Sequence, residues 1–295
     1  MNHTPYSIKG FNHCEFYVGN AKQAAYFYQK IMGFKIIAYR GLETGSRDRV
    51  SYVLNQGHIF FLVTSPLEKN TKIGDHIDRH GDGIKDVAFT VDNAEMAWKI
   101  SLERGAKSAQ EPCEIKDDNG QVIISSIHTF GDTIHTFIER TNYKGSFLPG
   151  YNDFHPSISP EAPKLIHIDH VVGNQPDGQM QSVCDFYEKI FGWHRFWTVD
   201  DKDITTEFSS LRSIVMANNN EIVKMPINEP AEGLKKSQIQ EFIDYYETAG
   251  VQHLALSTKD IIHSVKVMRA SGVEFLPTPD SYYDDIKERV GDIDE

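Results

Sequence analysis

The chain has 295 residues, more than one core usually organises, so two domains are expected. Apolar residues make up 40% and charged residues 24%, an ordinary globular balance that excludes disordered, collagenous and coiled-coil classes. A formal net charge of -12, from 30 Lys and Arg against 42 Asp and Glu, repels phosphate backbones and anionic lipid, so neither nucleic acid nor a membrane is an expected partner.

Residues 1–10 lack a basic stretch followed by an apolar one, and no run approaches the ~20 apolar residues of a membrane span. Cys14, Cys113 and Cys184 are far apart with no Cys-x-x-Cys spacing, which suits a reducing compartment, and a cytoplasmic location is expected. The first half offers Phe11-Asn12-His13, then a helical segment around Ala24-Ala25-Tyr26-Phe27-Tyr28 ending at Gly33-Phe34, then Gly83-Ile84-Lys85-Asp86-Val87-Ala88-Phe89 and a strand over residues 134–140. Pro149, Gly150, Pro156, Pro160 and Pro163 break any period across residues 143–164.

Beyond that stretch the chain repeats itself. Ile168-Asp169-His170 matches the first segment at an offset of 157 residues. A helix over residues 179–191, apolar at Met180, Val183, Cys184, Phe186, Tyr187 and Ile190 and stopped by Gly192, matches the second at 159. Gly250-Val251-Gln252-His253-Leu254-Ala255-Leu256 matches the third at 167. Residues 205–216 and 220–225 read as strands joined at Asn218-Asn219-Asn220, and residues 241–247 as an amphipathic helix with Phe242, Tyr245 and Tyr246. Residues 253–257 read as a strand, residues 259–271 as a helix stopped by Gly272, and residues 284–295 as a solvated charged face. Each half thus reads twice as βαβββ, an α+β class, with domains at 1–150 and 164–295 and a linker at 151–163. The aromatic pairs Tyr26-Phe27-Tyr28 and Phe186-Tyr187 fit helix faces packed on a sheet.

Strict alternation puts His170 on the face of Ile168 and Val172, and His253 beside Val251 and Ala255. A lone histidine on an apolar face is most simply a satisfied core residue. Two at equivalent strand positions of successive modules converge, and neutral imidazoles from adjacent strands suit a divalent metal. The first half carries His13 and Asp86 at these positions, so the pair belongs to the second half alone. In the first half the closing strand brings Thr136 inward, 50 residues after Asp86, and the same spacing counted from His253 runs past Glu295.

Five ordered segments carry a closer resemblance: Ile168-Asp169-His170-Val171-Val172-Gly173-Asn174, Leu211-Arg212-Ser213-Ile214-Val215-Met216-Ala217, Met225-Pro226-Ile227-Asn228-Glu229-Pro230, Lys236-Ser237-Gln238-Ile239-Gln240 and Gly250-Val251-Gln252-His253-Leu254-Ala255. With these the chain resembles the two-domain 4-hydroxyphenylpyruvate dioxygenases of the vicinal-oxygen-chelate superfamily. The resemblance implies tandem βαβββ modules, two per domain, forming curved half-open mixed β-barrels flanked by helices. It implies one Fe(II) per subunit, held by His170, His253 and a Glu on a C-terminal strand beyond Glu295, so that the chain is a truncated form with little activity and an open sheet edge. Substrates implied are a 2-oxo acid and O2, giving homogentisate and CO2 in tyrosine breakdown, in a homodimer or homotetramer. Ser213, Pro226, Asn228, Gln238 and Gln252 match substrate-pocket positions. Read without the resemblance, Asn228 between two prolines is a turn residue, Gln238 a solvated helix position, Ser213 a strand hydroxyl bonded to backbone, and Gln252 faces away from His253 unless the strand is bulged. Hydroxymandelate synthase, an extradiol ring-cleaving dioxygenase and a noncatalytic fragment are the alternatives.

Overall fold

A computed structural model describes residues 4–156, 161–199, 210–231, 235–278, 280 and 283. Its first half builds one plan twice. Strand β1 (Ile8–Tyr17), helix α1 (Ala21–Lys30) and strands β2 (Lys35–Arg40), β3 (Arg49–Gln56) and β4 (Ile59–Pro66) make the first unit. Helix α2 (Lys72–His80) leads to the second, made of β5 (Gly83–Val91), helix α3 (Ala94–Glu103), β6 (Ser108–Asp117), β7 (Gly120–His128) and β8 (Ile134–Glu139). In each unit the first strand pairs in parallel with the last, β1 with β4 and β5 with β8. The units join through the antiparallel pair β1–β5. A short strand β9 (Asn152–Asp153) pairs with β2, completing the order β6-β7-β8-β5-β1-β4-β3-β2-β9. The stretch expected to be a linker, 151–163, thus carries β9 near its start, and Tyr143 and Phe147 just before it are buried.

The second half repeats the plan with β10 (Leu165–Asn174), helix α4 (Met180–Phe191), β11 (His194–Val199), β12 (Ser210–Ala217), β13 (Lys224–Ala231), helix α5 (Gln238–Tyr246), β14 (Gly250–Thr258) and helix α6 (Ile261–Ala270). β10 pairs in parallel with β13 and antiparallel with β14, in the order β11-β12-β13-β10-β14. Among the described residues β14 has β10 as its only strand partner.

Local chemistry sets these boundaries. The Asn20 side chain accepts the Gln23 N–H at 3.0 Å and starts α1, and Ser237 does the same for Gln240 at the start of α5. Gly192, at φ 68°, ends α4 and returns its N–H to Glu188, as its place after the apolar period predicts. The turn after β12 is longer than Asn218-Asn219-Asn220. Asn218 accepts the Val223 N–H through its side chain, so β13 starts at Lys224 and runs through Pro226 and Pro230. The expected strand over 220–225 is thus displaced toward the C-terminus. The ladder between β10 and β13 has no pair at Pro226, which lacks the N–H to make one. Residues 205–209 and 284–295, where a strand start and a charged face are expected, lie outside the described residues.

One core serves both halves. Tyr187, Phe191 and Trp193 of the second half pack on Phe89 and Phe137 of the first, with Tyr187 stacked on Trp193 at 5.0 Å between ring centroids and Phe89 to Trp193 at 5.9 Å. The Tyr187 hydroxyl meets Nε2 of His135 at 2.7 Å, and the same ring holds the Val87 carbonyl through Nδ1. Tyr28 packs on Phe16 and Phe61 as expected, whereas Tyr26 and Phe27 are exposed. The three cysteines are free, with Cys113 alone exposed. Among the described residues no helix is long and apolar enough to cross a membrane.

Candidate metal centre

The second sheet has two unlike faces. Ile214, Met216, Met225 and Ile227 enter the shared core, so the residues alternating with them, including Ser213, Pro226 and Asn228, line the opposite face. Register places Ser213 opposite Asn228 and Asn228 opposite Asn174. Asn228 is therefore a buried mid-strand residue, and the turn that its flanking prolines indicate does not form there.

Strict alternation fails next to both histidines. On β10 the pairing steps from Ile168 with Leu256 to His170 with Ala255, passing over Asp169. Such a one-residue bulge turns two successive side chains to one side. Ile168 consequently shares the core with Val171, while His170 lies with Val172 on the opposite face. Asp169, the residue before His170, turns to the same side and accepts its Nδ1–H at 2.8 Å. β14 does the same, stepping from Val172 with His253 to Gly173 with Val251 and passing over Gln252. Val251 goes to the core, and Gln252 meets Nδ1 of His253 at 3.0 Å. The expectation that His170 lies beside Ile168 and His253 beside Val251 is thus corrected. Gln252, which alternation turns away, is brought back.

The two rings stand edge to face, 6.1 Å apart, on neighbouring strands. His170 is partly exposed and His253 exposed. The hydrogen bond from His170 holds the Asp169 carboxyl below its usual range. An ionised carboxylate only accepts, so in this hydrogen bond the proton is on Nδ1 of His170, and Nε2 is the atom left to face a ligand. Although its outer edge is exposed, the protein packed around the ring's inner side desolvates it, and this, then the neighbouring His170, keeps His253 below its ordinary value and favours its neutral form. Two imidazoles with Nδ1 held and Nε2 left as the donor atom are a set that fits a divalent transition metal. Among the described residues no third His, Cys, Asp or Glu completes a cluster with them.

The equivalent place in the first half is closed. The same bulges occur at Asn12, before His13, and at Lys85, before Asp86. His13 Nδ1 meets Asn12 Oδ1 at 2.8 Å, and Phe147 packs edge-on against the ring at 5.1 Å. Burial pushes His13 down to about 4 and Asp86 up to about 7. The Thr136 N–H donates to Asp86 at 3.0 Å, so β8 does bring that position alongside Asp86, as the repeat predicts.

Of the candidate substrate residues, Ser213 and Asn228 are buried side by side, and Pro226 lies two residues along the same face. Asn228 Oδ1 and both polar atoms of Asn174 are buried without hydrogen-bond partners. Asn174 was not foreseen. The available signal was its position four residues after His170, a whole number of strand periods. Gln238 opens α5 and is exposed, as a solvated helix position would be. Beyond His253 and Gln252 lies a cavity of about 670 Å³ between the halves, walled by Phe27, Tyr28, Phe242 and Tyr246.

A curled, duplicated sheet of βαβββ units with paired strand histidines on its open face defines a class, and comparison with known families agrees. The model of the Glyoxalase/Bleomycin resistance protein/Dioxygenase superfamily matches residues 167–292, and that of Hydroxyphenylpyruvate dioxygenase, N-terminal, matches residues 2–153. The chain belongs to the 4-hydroxyphenylpyruvate dioxygenase family. It is 51% identical over 303 residues to the 4-hydroxyphenylpyruvate dioxygenase of Aspergillus fumigatus, covering 96% of this chain and 75% of that one. It is 51% identical over 286 residues to the protein of that name from Danio rerio, covering 95% and 72%. A triple mutant of 4-hydroxymandelate synthase from Streptomyces coelicolor is similar in structure, with a TM-score of 0.83 and 27% identity, over 96% of this chain and 81% of that one.

Proposed function

We propose that this chain converts 4-hydroxyphenylpyruvate and O2 to homogentisate and CO2, with one Fe(II) per subunit held by Nε2 of His170 and Nε2 of His253. The observation that carries the proposal is the convergence of these rings from β10 and β14 on the face that also holds Ser213, Pro226 and Asn228. A carboxylate arriving on the side of β14 away from β10, the place that β8 takes beside β5 in the first half, would complete the set. Bound iron supplies the dioxygen chemistry and a docking point for the 2-oxo acid.

The chain's own residues bind and orient. Ser213 and Asn228 offer a hydroxyl and a carboxamide to the polar groups of the substrate without adding charge beside the metal. Pro226, with no N–H and a fixed ring, shapes the wall between them. Helix α5 packs across β13, β10 and β14 and closes one end of the face. The apolar walls of the neighbouring cleft limit water. For Gln238, exposed at the start of α5, the proposed contribution is to substrate binding alone, as the family resemblance implies.

The test is homogentisate formation by the protein supplied with Fe(II), 4-hydroxyphenylpyruvate and O2, with His170→Ala and His253→Ala as controls. Homogentisate that depends on both histidines supports the proposal. Its absence from the iron-loaded chain, or its persistence in both variants, overturns it. The likeness in fold to 4-hydroxymandelate synthase favours one second reading, oxidation at the benzylic carbon. Chromatography against both product standards separates the two.

A further inference from the structure

Among the one-residue bulges of the described residues, the four beside the paired positions His13, Asp86, His170 and His253 have side chains that follow a rule. Where the bulged residue precedes a histidine it is Asn12, Asp169 or Gln252, and each meets Nδ1 of that histidine at 2.8 to 3.0 Å. Where it precedes Asp86 it is Lys85, whose ammonium instead bonds the Asp132 carbonyl. The bulge is thus more than a kink. It sets a hydrogen-bond acceptor on the same side as the next ring, at a distance fixed by the backbone.

Resting on the metal-pair reading above, we propose that Asp169 and Gln252 are positioning residues. Each accepts Nδ1–H from the adjacent ring, fixes its rotation and tautomer, and presents Nε2 as the ligand atom. The two are not equal. Asp169 is charged, so it holds the His170 proton more strongly and makes that ring the better electron donor. Gln252 gives His253 the same geometry without charge. Its Oε1 serves the ring, which leaves its carboxamide NH2 for the substrate contact that the family resemblance implies. Asn12 and His13 form the same pair where Phe147 closes the site, which shows that the device is structural in origin and serves the metal only where the ring is open.

The test uses the full chain labelled with 15N-histidine, read by long-range proton–nitrogen spectra for tautomer, together with titration of Co(II) as the probe metal. In Asp169→Ala the His170 ring is expected to lose its single Nδ1–H form, and Co(II) affinity to fall by about ten- to a hundredfold. Gln252→Ala is expected to do the same to His253 with a smaller loss, and Gln252→Glu, which keeps an acceptor, to restore the tautomer. Asn12→Ala should change the His13 signals and leave Co(II) affinity as it was. Asp169 is partly exposed, and Asp169→Ser, too short to keep the bond, replaces Asp169→Ala should that variant not fold. Unchanged tautomers and affinities in the Asp169 and Gln252 variants overturn the proposal. If His170→Ala and His253→Ala both bind Co(II) like the parent chain, the metal-pair reading fails instead, and the tautomer spectra still decide whether these residues orient the rings.

Discussion

The two halves carry the same crossing of strands and the same pair of bulges, yet one crossing is sealed and the other open. At β1–β5 the pair is His13 and Asp86, 3% and 4% exposed, with Phe147 against the imidazole. At β10–β14 it is His170 and His253, with the rings facing each other and reachable from outside. The difference teaches that the backbone geometry is a common inheritance of both halves. What separates a core from a site is the second side chain and whatever packs over it.

The largest effect expected from breaking this contrast is on metal binding. His170→Ala and His253→Ala should each weaken Co(II) binding by more than the about hundredfold that an outer-sphere change costs. Asp86→His, which copies the second-half pair into the first, should create no Co(II) site while Phe147 covers His13. Titration of the three variants checks both. Phe147→Ala should cost about 3–5 kcal/mol of stability in urea denaturation, the range for an emptied aromatic site.

The sealed pair also gives the first half a pH signature. Asp86 stays protonated in the fold up to about 7 but ionises near its ordinary 3.8 once unfolded. Its contribution therefore falls as pH rises from about 4 to about 7 and is level above that. His13 and His135, both held down to about 4, have the opposite effect: they are neutral in the fold and charged when unfolded, so stability falls as pH drops from 6.5 toward 4. The two trends oppose each other in the parent chain. Asp86→Asn removes one of them, and its stability relative to the parent should rise by a few kcal/mol between pH 4 and pH 8, measured by denaturation at both ends. Tyr187→Phe should cost about 1–3 kcal/mol, because Nε2 of the buried His135 loses its partner. The smallest effect is expected at Gln238, exposed at the start of α5. Gln238→Ala should leave stability and Co(II) affinity unchanged and raise only the KM for 4-hydroxyphenylpyruvate.

The histidine pair was legible because duplication supplies a second copy to compare, and helix α4 because its apolar period and Gly192 agree. The bulges were not. A bulge depends on register with a partner strand, and Asp169 and Gln252 carry no local mark such as glycine, so strict alternation turned Gln252 the wrong way. Pro226 and Pro230 mimic a turn, and only the neighbours on both sides of β13 hold them in a strand. Asn174 was passed over because one carboxamide in a strand has no distinguishing chemistry until its partners are seen to be missing. The aromatic face of α4 predicted burial, but not that part of the surface it buries against belongs to the other half of the chain.

That shared aromatic core bears on how the molecule comes apart. Phe89 and Phe137 meet Phe191 and Trp193 directly, and Tyr187 is tied to His135, so pulling the halves apart would expose the largest side chains of both. Melting is then expected as a single cooperative event, with the first half acting as a template on which the second sets its strands. A second half exchanged for that of a distant relative would meet an ill-fitting surface beneath α4 even with every residue of its own site intact.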